Sequence, residues 1–169
     1  LATGGPSIPK LGATSFAYDV ARRFGLSIVQ PRPALVPLTL GPDEALFHAL
    51  SGVSADVEVR WGKVRFREAA LFTHRGLSGP AMLQISSYWE HRTEIAVNFL
   101  PDATPGWLLD AKRERPRASL RRTLGAVLPE RLAEALLERL ALDGELGALT
   151  DKALRAAEAR LGAWSFAPN

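Results

Sequence analysis

Two short segments of this 169-residue chain hold the residue types that chemistry needs. The first is Ala2-Thr3-Gly4-Gly5, followed by Pro9, Gly12 and Thr14. Glycines at a strand end let a ligand approach the backbone closely, and a helix starting at Ser15 points its positive N-terminus back at them. That arrangement suits an anion or a dinucleotide. It is neither G-x-G-x-x-G nor a Walker P-loop, and a tight turn that needs glycine competes with it. The second segment is Phe72-Thr73-His74-Arg75-Gly76-Leu77-Ser78-Gly79-Pro80. His74 can act as acid or base, Arg75 can hold an anion, and the amides from Gly79 onward can stabilise developing negative charge. The competing reading makes Ser78 a helix cap and His74 a hydrogen-bonded structural residue. Ser78 is a poor nucleophile candidate, because Gly-Leu-Ser-Gly-Pro lacks the G-x-S-x-G elbow. His48 and His91 have no partners at metal-ligand spacing, so no metal site is expected.

Both segments need elements to position them. Thr14 reads as N-cap and Gly25 as the C′ residue of a helix over Ser15 to Phe24, with Phe16, Val20 and Phe24 as its buried stripe. Leu26 to Val29 follows as a short strand. From 34 to 100 the pattern is mostly extended. Pro37 suits an edge strand or a bend over Leu35 to Leu40, rather than a central strand. Alternation over Asp56 to Trp61 and Lys63 to Leu71 predicts a hairpin around Gly62, and Thr93 to Leu100 alternates similarly. Pro80 fits the first turn of a helix whose N-cap lies near Ser78. Four helices are then predicted, over Pro105 to Arg115, Ala118 to Leu128, Pro129 to Leu140 and Asp151 to Leu161, the last capped by Thr150.

Composition narrows the class. Hydrophobic residues are 47% and charged residues 23%, ordinary for a globular chain. No apolar run reaches the roughly 18 residues that a membrane span needs. With no cysteine, disulfide scaffolds, thiolate catalysis and Cys-ligated metals are excluded. The sequence pI is near 9.7, yet 21 basic against 18 acidic residues leave a net charge of only +3 and a weak overall field. The local excess runs from Lys112 to Arg122, where Lys112, Arg113, Arg115, Arg117, Arg121 and Arg122 face only Glu114. It reads first as a solvated helix surface and second as an anion or polynucleotide patch. It lacks the interleaved aromatics of single-strand binders.

Taken together, the two chemical segments are more specific than either alone. Leu1 to Pro9 with Leu11-Gly12-Ala13-Thr14, and Phe72 to Pro80, resemble the bacterial HI0933-like, BaiN-like or aminoacetone-oxidase-like NAD(P)/FAD-dependent oxidoreductases. Arg32 to Leu38, Leu83 to Trp89, Leu128 to Leu132 and Trp164 to Asn169 resemble the same family, in order along the chain. The resemblance implies an α+β fold: a β-barrel-like subdomain plus a helical bundle, flanked by short pieces of a Rossmann-type FAD domain. Residues 1–30 would end the FAD domain, 31–100 form the mainly β part, 101–162 the bundle, and 163–169 a return strand to the FAD domain. The chain opens at Leu1 rather than Met, and is read as the middle of a longer protein.

By the same resemblance, FAD is the expected cofactor and NAD(P)H the candidate reductant. Ala2, Thr3, Gly4 and Gly5 would lie beside FAD. His74 and Arg75 would be catalytic, with Ser78 and Gly79 on the substrate or flavin side. Lys10 and Ala17 stand where many relatives carry glycine. The expected role is a substrate-covering insert of a cytoplasmic oxidoreductase, inactive and colourless by itself, partnered by the rest of its FAD domain and a small-molecule substrate. Membrane is not an expected partner, and nucleic acid is disfavoured. The alternatives are an anion- or nucleic-acid-binding module using 112–122, and a protein-interaction domain built on the bundle.

Overall fold

The computed structural model describes residues 3–169, so the candidate cofactor contact at Ala2 lies outside the described residues. The chain divides into two units, 1–33 and 34–169.

In the first unit a 3-10 turn, Pro9–Leu11, is closed by Gly12, whose left-handed backbone (φ +83°) lets its N–H reach the Pro9 carbonyl. Helix α1 follows at Phe16–Arg23, close to the expected span, and Gly25 leaves it with φ +74°. Two expectations fail here. The Phe16–Phe24 stripe is not buried: Phe16 is 53% and Phe24 80% exposed. A segment this short carries too little apolar surface to enclose a core of its own. Leu26 to Val29 forms no strand, because a strand exists only as part of a ladder and none is offered to it among the described residues.

The second unit is mixed α+β. Its elements in chain order are β1 (Leu38–Thr39), α2 (Ala45–His48), β2 (Ser54–Trp61), β3 (Val64–Thr73), β4 (Gly76–Ser78), α3 (Pro80–Ser86) and β5 (Ile95–Asn98). Then come α4 (Trp107–Glu114), α5 (Leu120–Gly125), α6 (Glu130–Leu140), α7 (Asp151–Gly162) and β6 (Trp164–Phe166). The strands form one antiparallel sheet in the order β1-β4-β3-β2-β5-β6. The expected hairpin is its centre, in the register Trp61↔Val64 and Val59↔Phe66, turning at Gly62 with φ +56°. Ala55, Val57 and Val59 point inward and are buried, while Asp56 between them and Arg60 after them are exposed. Pro37 precedes an edge strand, as expected, since it cannot donate to a ladder.

The sheet is strongly curled. After β6, the Asn169 N–H donates to the Thr39 carbonyl at 2.9 Å and the Thr39 hydroxyl donates to the Asn169 carbonyl at 3.0 Å. The tail that leaves one edge strand therefore binds the other. Phe47 of α2 fills the interior, with ring centroids 6.0 Å from Phe72, 5.8 Å from Trp164 and 5.0 Å from Phe166. Trp164 to Phe166, expected as a return strand to a flavin domain, is here paired to β5 in this sheet.

All four predicted C-terminal helices form. The Ser119 hydroxyl accepts from the Arg122 N–H and the Thr150 hydroxyl from the Ala153 N–H, both at 3.2 Å, capping α5 and α7. α5 is shorter than expected because Ser119 is extended and Ala126 to Leu128 leave the helix before Pro129. Leu108, Leu120, Leu124, Leu132, Leu136, Leu154 and Leu161 are fully buried in the same apolar cluster as Val57, Val97 and Phe99. Sheet and helices thus share one core, where the sequence divides them at residue 100. No helix among the described residues is long and apolar enough to cross a membrane.

Candidate functional site

The glycine segment belongs to the first unit. Thr3 and Gly4 are exposed. Gly4 has φ +72°, and nothing lies within 4 Å of the position a Cβ would take. Helix α1 returns to these glycines through Tyr18, whose hydroxyl is 3.8 Å from the Cβ position of Gly5. At the start of α1 the Ser15 hydroxyl donates to Asp19, and Asp19 in turn pairs with Arg22 at 2.7 Å. A carboxylate in the first turn offsets the positive end of the helix. The backbone opening at Gly4 is therefore the feature here that fits close approach of a cofactor such as FAD, through main-chain contact at Thr3, Gly4 and Gly5.

The His74–Arg75 segment is the hairpin turn between β3 and β4. The Arg75 N–H donates to the Thr73 hydroxyl at 3.2 Å, and that hydroxyl donates to the Gly76 carbonyl at 3.1 Å. From the other side the Leu40 N–H donates to the Arg75 carbonyl at 3.0 Å. The turn is fixed while both side chains stand exposed. Two glycines make this possible. A Cβ on Gly76 (φ +145°) would lie 2.3 Å from the Leu38 carbonyl oxygen, and one on Gly79 (φ +88°) would lie 2.7 Å from the Ala69 carbonyl oxygen. Backbones packed that closely admit no side chain.

Ser78 lies at the far end of β4, half-buried, opposite Leu71. It does not cap α3: the flanking residue is Gly79 and no side-chain cap bond forms. Ala81 and Met82, the first residues after Pro80, are buried. The close approach to β3 accounts for Gly79. His74 and Arg75 are brought together on one turn, Ser78 is set apart from them, and Thr3 to Gly5 belong to the other unit.

The basic stretch resolves into two kinds of residue. Lys112 pairs with Asp151 at 2.8 Å, Arg113 with Asp110 at 2.9 Å, and Arg121 with Glu134 at 2.6 Å. The Lys112 ammonium holds the Asp151 carboxyl below the usual range. Arg115, Arg117 and Arg122 make no ion pair among the described residues; all three are exposed and line one concavity. Sequence reading saw the stretch but not this division, since the pairing carboxylates Glu134 and Asp151 come from α6 and α7. It also missed a buried pair of polar atoms near α2: Glu44 Oε2 and His48 Nε2 have no hydrogen-bond partner among the described residues. Burial raises the Glu44 carboxyl above its ordinary range, against the pull of Arg139 and Arg160.

A curled antiparallel sheet closed around an aromatic plug, with a helical bundle on the same core, is the class of domain these residues build. Its family follows from comparison. The family model described as the HI0933-like protein barrel and H2TH domain matches residues 32–169, and the chain belongs to that family. It is 41% identical over 181 aligned residues to the ribosomal RNA dihydrouridine synthase of Escherichia coli (strain K12), covering 100% of this chain and 43% of that protein. It is 38% identical over 173 aligned residues to the ribosomal RNA dihydrouridine synthase of Haemophilus influenzae, again covering 100% of this chain and 43% of that protein. The chain thus spans less than half the length of these curated relatives.

Proposed function

We propose that this chain is the barrel-and-helix part of a flavin-dependent enzyme that reduces uridine to dihydrouridine in ribosomal RNA. The observation that carries the reading is identity of 41% and 38% along the whole chain to two relatives bearing that activity as their name. On this reading the substrate is a polynucleotide, where the resemblance implied a small molecule.

Saturating the C5–C6 double bond of a uracil ring takes one hydride and one proton. FAD, when bound, supplies the hydride, and NAD(P)H renews it. Thr3 and Gly4, both exposed, and the half-buried Gly5 would offer that cofactor their main chain. His74, exposed on the fixed turn, is the side chain that would deliver the proton, since an imidazole can serve as a general acid. Arg75, beside it on the same fixed turn, steadies negative charge developing on the uracil carbonyls. Thr73 orients both by tying the turn on each side. Ser78, half-buried at the other end of β4, supports the strand under the turn.

The test is the full-length protein with FAD, given NADH or NADPH and a ribosomal RNA transcript, with dihydrouridine measured by nucleoside mass spectrometry. Product is expected, and His74→Gln is expected to slow its formation about 10²- to 10⁴-fold, the usual worth of a positioned proton donor. Absence of dihydrouridine with either reductant, from a protein that holds flavin and accepts hydride, sinks the reading.

A further inference from the structure

We propose that the concavity lined by Arg115, Arg117 and Arg122 grips backbone phosphates of the RNA substrate, apart from the residues assigned to chemistry. The inference rests on the reading that the substrate is RNA. The first observation is the division of the basic stretch. Lys112, Arg113 and Arg121 have their charge met by carboxylates of the fold, whereas the three unpaired guanidiniums, among the described residues, line one open space of about 700 Å³. Glu114 and Glu145 share the lining, so three guanidiniums against two carboxylates leave it net positive.

The second observation is that the loop bearing these arginines is held in place. The Gly147 N–H donates to the Pro116 carbonyl at 2.7 Å, the Leu146 N–H to the Ala118 carbonyl at 2.9 Å, and the Leu120 N–H to the Gly144 carbonyl at 2.9 Å. Ser119 and Glu145 complete this contact as a β-bridge. The two segments run close together, and a Cβ on Gly147 would lie 3.0 Å from the Pro116 carbonyl oxygen, a tight contact. Arg115 and Arg117 therefore flank a fixed residue, and Arg122 rises from the first turns of α5. A backbone held in place under the three arginines lowers the ordering cost of binding.

The third observation selects the ligand. The lining contains no aromatic side chain, so bases have nothing to stack on. The arginines are exposed, and an exposed guanidinium holds a single small anion weakly. A polyanion that meets several at once gains by counterion release. Phosphodiester backbone contacted without regard to sequence is the chemistry these residues fit.

The experiment uses the full-length protein and a labelled ribosomal RNA transcript, with binding followed by fluorescence anisotropy from about 50 to 200 mM KCl, the range over which such contacts weaken steeply. The variants are Arg115→Gln/Arg117→Gln/Arg122→Gln, the same three changed to Lys, and the paired control Arg113→Gln/Arg121→Gln. The glutamine triple is expected to lose at least about tenfold in affinity and to flatten the log–log salt slope by about 2 to 3, at 0.7–0.9 per phosphate contact. The lysine triple should keep the slope and the paired control should bind within about twofold of wild type. If the glutamine triple melts early, Arg117→Glu, at an exposed loop position, carries the same comparison. The proposal is overturned if the glutamine triple binds RNA within twofold of wild type at an unchanged slope. It is equally overturned if the loss appears instead in the KM for NAD(P)H, which would make the arginines a cofactor-phosphate site. Dihydrouridine formation by wild type is read separately, so failure of the uridine-reduction reading and failure of this site give different results.

Discussion

Replacing Gly76 by alanine tests how the turn that bears His74 and Arg75 is held. The added Cβ would lie 2.3 Å from the Leu38 carbonyl oxygen and 2.8 Å from the Leu40 nitrogen, both backbone atoms of the edge strand region. Neither can swing aside as a side chain could. The residue also sits at φ +145°, where an L side chain costs on the order of 1–3 kcal/mol. If β1 then lifts from β4, Leu38 and Leu40, buried to 3% and 6% exposure, lose their cover. Each such side chain is worth about 1.5–3 kcal/mol. Strain plus even one of these losses gives about 3 kcal/mol or more. Gly62→Ala is the comparison: at φ +56° with nothing within 4 Å of the new Cβ, it costs only the left-handed backbone, about 1–2 kcal/mol. Urea unfolding of both variants in the full-length protein, followed by tryptophan fluorescence from Trp164 beside Phe47, reads the difference. Equal losses in the two variants would refute the argument that close backbone packing, rather than φ alone, demands glycine at 76. Lifting β1 would also break the Leu40-to-Arg75 hydrogen bond, so the exposed pair should lose its fixed position.

Two further outcomes are expected. Burial raises the Glu44 carboxyl, so the folded state holds its proton to a higher pH than the unfolded chain does. Stability therefore falls as pH rises from the usual carboxylate range through that raised value, above which the cost is fully present. Glu44→Gln should raise the melting temperature at pH 7, with the gap to wild type closing by about pH 4; a gap independent of pH contradicts the assignment. Phe47, 1% exposed and in contact with aromatic rings from β3 and β6, should cost about 3–5 kcal/mol as Phe47→Ala. A thermal melt lowered by less than a degree or two would mean that the sheet does not depend on its plug.

Local pattern carried a great deal here. Alternation over Asp56 to Trp61 and Lys63 to Leu71 predicts the hairpin with no help from the rest of the chain, because a period of two admits only one buried face. Pro37 marked an edge, and Thr150 started a helix with its own hydroxyl. The basic run at 112–122 and the His74–Arg75 pair were both visible as residue types. What alternation cannot say is which edges of a sheet meet. The Asn169–Thr39 bonds join residues at opposite ends of the second unit, and nothing near either predicts the other. The same limit hid the division of the arginines, which depends on carboxylates arriving from α6 and α7. It also misjudged Phe16 and Phe24, since a helical stripe states which face is apolar and not whether anything covers it.

The sequence alone determined the central hairpin and the four C-terminal helices, the glycines and prolines that punctuate them, the absence of cysteine, and the family that Thr3 to Gly5 and Phe72 to Pro80 resemble. These are short-range matters, settled by backbone sterics and hydrophobic period over a few residues. Only the tertiary structure decided that sheet and bundle share one core, that the Asn169 tail beyond Trp164 to Phe166 binds the opposite edge, that Gly79 serves packing, and that Arg115, Arg117 and Arg122 are the arginines of the basic stretch left without an ion pair among the described residues. Burial and charge pairing depend on distance in space, and a chain fixes that distance only when its remote segments come together.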